Sequence, residues 1–447
     1  MRKWLIPSII VILVLLIALL PKLASSSLGK PIFVRAFEEE IHGTVEIGAL
    51  HLSWFGPQVF QRVTFTTPEV EGSVEELQKN VPLWSLKGIG GFLLKNGSFT
   101  FPGAGEGTID QVNGQIKNGN FQLTGVTRQG GTSGNIAMQG KVFSKHRFDI
   151  QGEITSLPVA AIDRILNANN LLFQILGPNL NLKGSASLNK NQGAIDVQLA
   201  SSHIHADIKA NLSENGITLL EPINAAMQLT PSLSEVLMSE MNPLFLTGVE
   251  SRNPIQLHID SQDFFYPIPF SIEKLQGRGT LDMGQVVCTN GKSLATIISL
   301  LKLNPLSKIR EMNVWFTPLS FQMDKGVLHT DRMDALIADS IHVCTWGYID
   351  VAKDKLHINL GIPADTLSQT FMIKNLSDTY VLKVKIRGST RDPDIDKGPA
   401  AAKIAAMIAA SQIPKKGAVF GSLVNAFSQL KEDKDIPPAK RPFPWER

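Results

Sequence analysis

The chain has 447 residues, and its 43 Lys plus Arg stand against 40 Asp plus Glu for a net charge of +3. That length is ample for a buried core, while the small basic excess, without aromatic-interleaved basic patches, sets nucleic acid aside as a partner. Thirty-six glycines and twenty-five prolines are spread throughout, the punctuation of many short strands joined by turns, so the expectation is a mainly β chain.

Residues 4–20 read "WLIPSIIVILVLLIALL" and carry no charge, a run at the short end of what spans a hydrocarbon core of about 30 Å. Its apolar residues, Trp4, Leu5, Ile6, Ile9, Ile10, Leu13, Leu16 and Leu20, predict a single N-terminal transmembrane helix. Arg2 and Lys3 precede it, so the positive-inside bias keeps the N-terminus in the cytoplasm and sends the rest outward. The localisation implied is a single-pass membrane protein with its bulk outside the cytoplasm. A cleaved secretory signal is the competing account, because "LASSS" follows Pro21. Lys22 and the length of the apolar run favour a retained anchor. The organisation expected is an anchor at 1–22, a β-rich groove region with inserted helices at 23–270, a closing β domain at 271–396, and a helical, proline-rich tail at 397–447.

A β-type stretch, "IHGTVEIGALHLSWFG", follows almost at once. Residues 73–86 give a weak helix candidate. Residues 157–176, "LPVAAIDRILNANNLLFQIL", give a stronger one, opening with a proline suited to a first turn and closing at Gly177-Pro178. Strict alternation then sets in. Ile195, Val197 and Leu199 share one face of a strand; after a turn at Ser201 and Ser202, Ile204, Ile208 and Leu212 share one face of the next, opposite His203, His205, Asp207, Lys209 and Asn211. A short helix is expected at 232–241. The same period returns in Ile255, Leu257 and Ile259. Residues 293–303 carry Leu294, Ile297, Ile298 and Leu301 at amphipathic helical spacing. Alternation resumes in Leu319, Phe321 and Met323, in Leu356, Ile358 and Leu360, and in Leu382, Val384 and Ile386 against Lys383, Lys385 and Arg387. Apolar helices at 400–410 and 418–430 lead to the end "KRPFPWER". The first of these would lie on a membrane, dock on a partner or cap the open end of the sheet.

Each of these strands has a dry face and a wet face, and the dry face needs a cover: a second sheet, helices or a ligand. The expected helices are too few to roof it. Some twenty to twenty-five strands at about 4.8 Å would give a sheet on the order of 100 Å along its ladder. Cys288 and Cys344 sit in similar settings, "VVCTNG" and "HVCTWG". They form a candidate disulfide if their strands are neighbours, restricting the unfolded chain by roughly 4 kcal/mol; otherwise they are small buried hydrophobes.

Enzyme chemistry finds little purchase. His203 and His205 lack a nearby carboxylate or cysteine at ligand spacing, and a solvated strand face explains them better than a metal. Asp331, Asp334 and Asp339 in "DRMDALIAD" suggest paired-carboxylate glycoside chemistry on a secreted β-solenoid, but acidic turn residues ahead of a strand are simpler. No GxSxG, HExxH or phosphate-cradling loop is present. The reading is therefore a non-enzyme with no catalytic site, metal or cofactor.

The membrane run followed by "GTVEIGALHLSWFGPQVFQRVTF" resembles the N-terminus of the AsmA-like proteins, the envelope group that includes TamB-type members. The segment "EITSLPVAAIDRILNANNLLFQILGPNLNLKGSASL" is similar to that family's helix inserted between strands. "GRGTLDMGQVV", the turn Asp324-Lys325-Gly326, the strand at Gly347 to Asp350 and the stop at Gly388 to Pro393 resemble its closing domain. The resemblance covers most of the chain as loose turn and strand patterns. It implies an elongated, rolled antiparallel sheet open along one side, anchored in the inner membrane, whose apolar lining holds phospholipid or another membrane lipid and guides it across the periplasm in outer-membrane homeostasis. The groove residues so implied are Ile195, Val197, Leu199, Ile204, Ile208, Leu212, Ile255, Leu257, Ile259, Leu319, Phe321, Met323, Leu356, Ile358, Leu360, Leu382, Val384 and Ile386. The chain is shorter than the largest members, so a partner protein in the envelope or outer membrane would complete a crossing. The alternative is an envelope assembly scaffold that assists outer-membrane protein biogenesis without carrying lipid.

Overall fold

A computed structural model describes residues 21–446 apart from 23, 27–28, 69, 84–89, 102–104, 118, 130–131, 145–146, 166–170, 191, 235–247, 290–309, 374–375, 391 and 412–434. The anchor at 4–20 and the helices expected at 293–303 and 418–430 lie outside the described residues, as does most of 232–241. Among the described residues no helix is long and apolar enough to cross a membrane. The described residues are mainly β, with twenty-five strands among them, and the chain divides into two compact units, Met1–Ser202 and His203–Arg447.

The first unit opens with helix α1 (Lys30–Ile41), which has a proline in its first turn and a left-handed cap at His42. Ten strands follow: β1 (Thr44–His51), β2 (Gln58–Thr66), β3 (Glu71–Asn80), β4 (Gly91–Phe101), β5 (Gly105–Lys117), β6 (Asn120–Gln129), β7 (Thr132–Ser144), β8 (Arg147–Pro158), β9 (Asn179–Asn189) and β10 (Gln192–Ser201). Each pairs antiparallel with the next, an uninterrupted meander, and no described pairing joins β10 back to β1. α1 covers only its start. Phe33, Val34, Phe37 and Ile41 pack on Val45, Ile47, Leu50, Phe60 and Val63, with the Phe37 and Phe60 rings edge to face at 5.2 Å. Each large side chain so buried contributes roughly 1.5–3 kcal/mol.

The "SWFG" turn between β1 and β2 is built around Gln58, which is 0% exposed. Its Nε2 donates to the carbonyls of Ser53, Gly56 and Val81, and its Oε1 accepts from the Ser53 N–H. Every polar atom of this buried amide is satisfied, as burial demands.

Of residues 73–86, expected as helix, 73–80 lie in β3 instead, and 84–86 lie outside the described residues. The ladder skips Gly48, Arg62, Glu75, Asn96 and Asp110 in five neighbouring strands. The irregularity ends as a bulge in β5 opposite β6. Each skip returns residues three apart to one face, such as Val74 and Leu77, which mimics helical spacing. Arg62 and Asn96 take up the strain at φ of 50° and 49°. Of the helix expected over 157–176, the described residues form helical segments α2 (Val159–Ile165) and α3 (Leu171–Leu176), while 157–158 end β8 and 166–170 lie outside the described residues. α2 leaves β8 and touches β4, four ladder steps away, so the sheet of this unit curls.

The second unit comprises β11 (Ile204–Ser213), β12 (Gly216–Leu219), β13 (Ile223–Met227), one turn of helix α4 (Pro231–Leu233), β14 (Gly248–Ser251), β15 (Ile255–Ile259), β16 (Tyr266–Pro267), β17 (Gly277–Asp282), β18 (Gln285–Thr289), β19 (Glu311–Phe316), β20 (Leu319–Asp324), β21 (Val327–Ile337), β22 (Ile341–Asp350), β23 (Lys355–Pro363), α5 (Ala364–Phe371), β24 (Val381–Gly388), β25 (Pro393–Ile395) and α6 (Lys397–Ser411). One ladder runs β11–β13–β15–β17–β20–β21–β22–β23–β24–β25. A second row, β14–β18–β19, joins the far end of the same β21. Residues 203–270 are thus paired directly with the closing strands. The hairpin at Lys325-Gly326 has both residues at positive φ, 51° and 75°, the type I′ geometry that matches strand twist.

Candidate functional site

In the first unit the registers stack Phe60, Leu77, Leu94, Val112, Gly125, Ile136, Ile154, Leu182 and Leu199 in one row, one residue per strand from β2 to β10. Eight strand steps make that row about 38 Å long. A parallel row on the same face holds Leu123, Met138, Gly152, Gly184 and Val197, and a third holds Phe121, Gly140, Ile150, Ala186 and Ile195. Only Phe60, under α1, is buried; the large residues of the first row from Leu77 onward are half-buried, as are Ile195 and Val197. Glycines interrupt the rows where a side chain has no room. A Cβ at Gly114 would strike the Phe92 ring, and one at Gly184 would strike the Asp196 carbonyl. The opposite face is polar, and Gln122, Gln139, Gln151, Lys183 and Asp196 line a shallow depression of about 700 Å³ there.

In the second unit the expected residues also fall on one face. Ile204 pairs through Met227 to Ile255, Leu257 through Leu281 to Leu319, and Ile259 through Gly279 to Phe321; Ile358 lies beside Ile386, and Leu360 beside Val384. Their environment differs from that of the first unit. Ile204, Ile208, Leu212, Leu257, Ile259, Phe321 and Met323 are half-buried. Ile255, Leu319, Leu356, Ile358, Leu360, Leu382, Val384 and Ile386 are at most 2% exposed, so here the polypeptide itself fills the space beside them. α5 touches β22 and β23, and α6 touches β24, burying Ala400, Ile404 and Met407.

A buried ionic cluster lies in the same unit. A bulge after Thr330 inserts an extra residue in β21, so that Arg332 and Asp334, two apart and on one side, face away from Thr330 and Met333. The Arg332 guanidinium grips Asp334 with Nε and Nη2, at 3.0 Å and 2.7 Å, and Nη1 donates to the Pro437 carbonyl at 3.0 Å. His342 Nε2 lies 2.9 Å from Asp334 Oδ1, and Nδ1 lies 2.8 Å from Asp365 Oδ2. A carboxylate at each ring nitrogen favours the protonated imidazole. Burial opposes that charge, but the hydrogen bonds to Asp334 and Asp365 outweigh it and hold His342 above the usual histidine value. Burial likewise works against the Asp365 carboxylate, and His342 reverses this and lowers it. The C-terminal segment seals the cluster: Phe443 is 2% exposed, stacks on Trp445 at 4.8 Å and meets the His342 ring at 5.0 Å. A cavity of about 990 Å³ adjoins it, lined among others by Asp365, Asp378, Val381, Pro437 and Arg441.

Several expectations change here. Asp331, Arg332 and Asp334 belong to a strand rather than an acidic turn ahead of one; Asp331 points to solvent near Lys440, while Asp334 is sealed in. Asp339 is in the turn that follows, at φ 53°. Cys288 and Cys344 are buried thiols that form no disulfide with each other. β18 and β22 are separated by β19 and β21, three steps or about 14 Å, twice the reach of a bridge. Burial pushes the Cys344 thiol well above its ordinary value. Among the described residues no group of three or more His, Cys, Asp or Glu is placed to hold a metal, and His203 and His205 have no such company. The Arg332, His342 and Asp365 cluster and the apolar rows on β2 to β9 carried no reading in the sequence; the rows were legible in "FQL", "IAM", "FDIQGEI" and "LNLKG", but the cluster had no local signal.

No family model, curated protein or solved structure matches the chain.

Proposed function

We propose that the first unit is a lipid-holding sheet, tethered to the inner membrane by residues 4–20 and lying in the periplasm, and that its apolar face takes up the acyl chains of phospholipid or a similar membrane lipid for movement between membranes. The observation that carries this reading is the half-buried row from Leu77 to Leu199. Apolar side chains left half wet on one continuous face cost free energy unless something covers them. That row, seven strand steps or about 34 Å long, exceeds the half-thickness of a hydrocarbon core, about 15 Å, which an acyl chain spans. The glycines beneath the rows keep that face low, so a guest can approach the backbone. The AsmA-like resemblance leads to the same class of ligand, an elongated rolled groove and a role in outer-membrane homeostasis. The face narrows the groove expected from sequence, because the 0–2% exposed residues of β20, β23 and β24 are closed to a guest.

A second reading, an envelope scaffold with a partner in the outer membrane, draws support from that same closed core in the second unit. Native mass spectrometry of the gently purified full chain separates the two. The lipid reading expects bound glycerophospholipid that is lost when Val197 and Leu199 become glutamate. A lipid-free parent chain contradicts it and leaves the scaffold.

A further inference from the structure

The start of the first unit carries a collar of exposed apolar and cationic side chains around the point where the apolar run ends. Pro21, Lys22 and Ala24 are helical, and the Ser25 N–H and Oγ both bond to the Pro21 carbonyl. The same Oγ accepts from the Leu52 N–H at 2.9 Å, which ties the end of the run to the base of the "SWFG" turn. Gly29 lies directly against the Ala24 backbone, with no room for a Cβ, so the start of α1 is folded back onto the same spot. Around it Phe55 is 87% exposed and Ile32 is 70% exposed, and Lys22 and Arg35 point to solvent.

The charge along α1 supplies a second observation. "KPIFVRAFEEEI" places its cations in the first half and its glutamates at the end, with no acidic residue in the first turn and no basic one in the last. Both choices oppose the helix dipole, which favours anions at the N-terminus and cations at the C-terminus. An anionic surface beside the first half of the helix offsets that penalty. A depression of about 710 Å³ lies there, lined by Lys30, Pro31, Ile32, Val34, Arg35 and Glu38. Its carboxylate, Glu38, is engaged with the Val45 N–H at 3.2 Å.

We propose that this collar, Lys22, Lys30, Ile32, Arg35 and Phe55, seats the first unit on an anionic phospholipid surface, with Phe55 and Ile32 in the interface and the cations on the headgroups. The proposal rests on the reading of residues 4–20 as a membrane anchor. It sets the α1-covered start of the apolar rows at the membrane surface, one strand before the half-buried stretch that begins at Leu77.

The test uses the full chain reconstituted in vesicles of phosphatidylethanolamine with phosphatidylglycerol, or with phosphatidylcholine in its place. Phe55→Cys carries an environment-sensitive fluorophore. Asp149→Cys on β8, seven strand steps or about 34 Å along the ladder, serves as control. Cys288 and Cys344 are 2% and 0% exposed, and the unsubstituted chain measures their background labelling. The collar predicts that lipids brominated near the headgroup quench the label at 55 and not at 149, more strongly with phosphatidylglycerol, and that Lys30→Glu with Arg35→Glu removes that preference, by roughly five-fold per cation in the concentration of anionic lipid required. Equal emission at 55 and 149, or quenching indifferent to anionic lipid, overturns the collar while alkaline carbonate still fails to strip the chain from the vesicles. A chain that carbonate strips overturns collar and anchor together, whereas lipid bound on the Val197 face is read separately by mass spectrometry.

Discussion

Gln58 and His342 are polar side chains withdrawn from water, and their partners decide what a substitution does. Gln58→Ala leaves the Ser53 N–H and the carbonyls of Gly56 and Val81 without a partner near a buried turn. The expected loss is on the order of 2–3 kcal/mol, read from urea unfolding. His342 gives a pH signature. Its folded value is raised by Asp334 and Asp365, with Arg332 and Arg441 the cations nearby. The stability it confers is therefore complete below the unfolded histidine value, about 6.5, and is lost as pH rises through the raised one. Asp365 is lowered and contributes the mirror image, present at neutral pH and lost in acid. Thermal melts of the parent should fall as pH rises above about 6.5, and those of His342→Gln should be flat over the same window; parallel curves would remove His342 from the account. None of this was legible in the sequence. Asp334 and Arg332 stand two apart, but only the bulge and the distant Asp365 turn them into a cluster.

The strands differ in how plainly their residues announced them. In β9 to β11 the period of two is unbroken, and the faces of Ile195, Val197, Leu199, Ile204, Ile208 and Leu212 could be read off directly. In β1 to β5 the skipped residues shift the phase at mid-strand, so pairs such as Ile47 and Leu50 or Val74 and Leu77 sit three apart on one face. Glu, Gln, Lys and Leu in β3 add helix propensity, which the neighbouring strands override. The glycines of the apolar rows belong to this scale as well. Gly114→Ala meets the partly exposed Phe92 ring, which can swing away; Gly184→Ala meets the fixed carbonyl of Asp196. The second should destabilise by about 1–3 kcal/mol and the first by less than about 1 kcal/mol, as compared by denaturant midpoints. The reverse order would mean that the strands yield more readily than the ring.

At the scale of the whole chain, the two units solve one problem in two ways. Both lay apolar side chains along one face of an antiparallel ladder; in the second most of the closing rows are buried within the polypeptide, and the first leaves its rows half wet. The sequence showed that a dry face exists in both but not which one the chain covers, because coverage is set by packing between segments far apart in sequence. Leu360→Glu places a charge in a packed core and should unfold the second unit or cost several kcal/mol, whereas Val197→Glu should melt within about 1 kcal/mol of the parent, since a half-exposed carboxylate keeps much of its hydration. The most direct measurement replaces Val197, its neighbour Asp196 on the opposite face, and the packed Leu360 in turn with a photoreactive residue in the membrane-reconstituted chain, and counts lipid adducts. The account predicts adducts at 197 and none at 196 or 360; adducts absent at 197, or equal at 196 and 197, would contradict it.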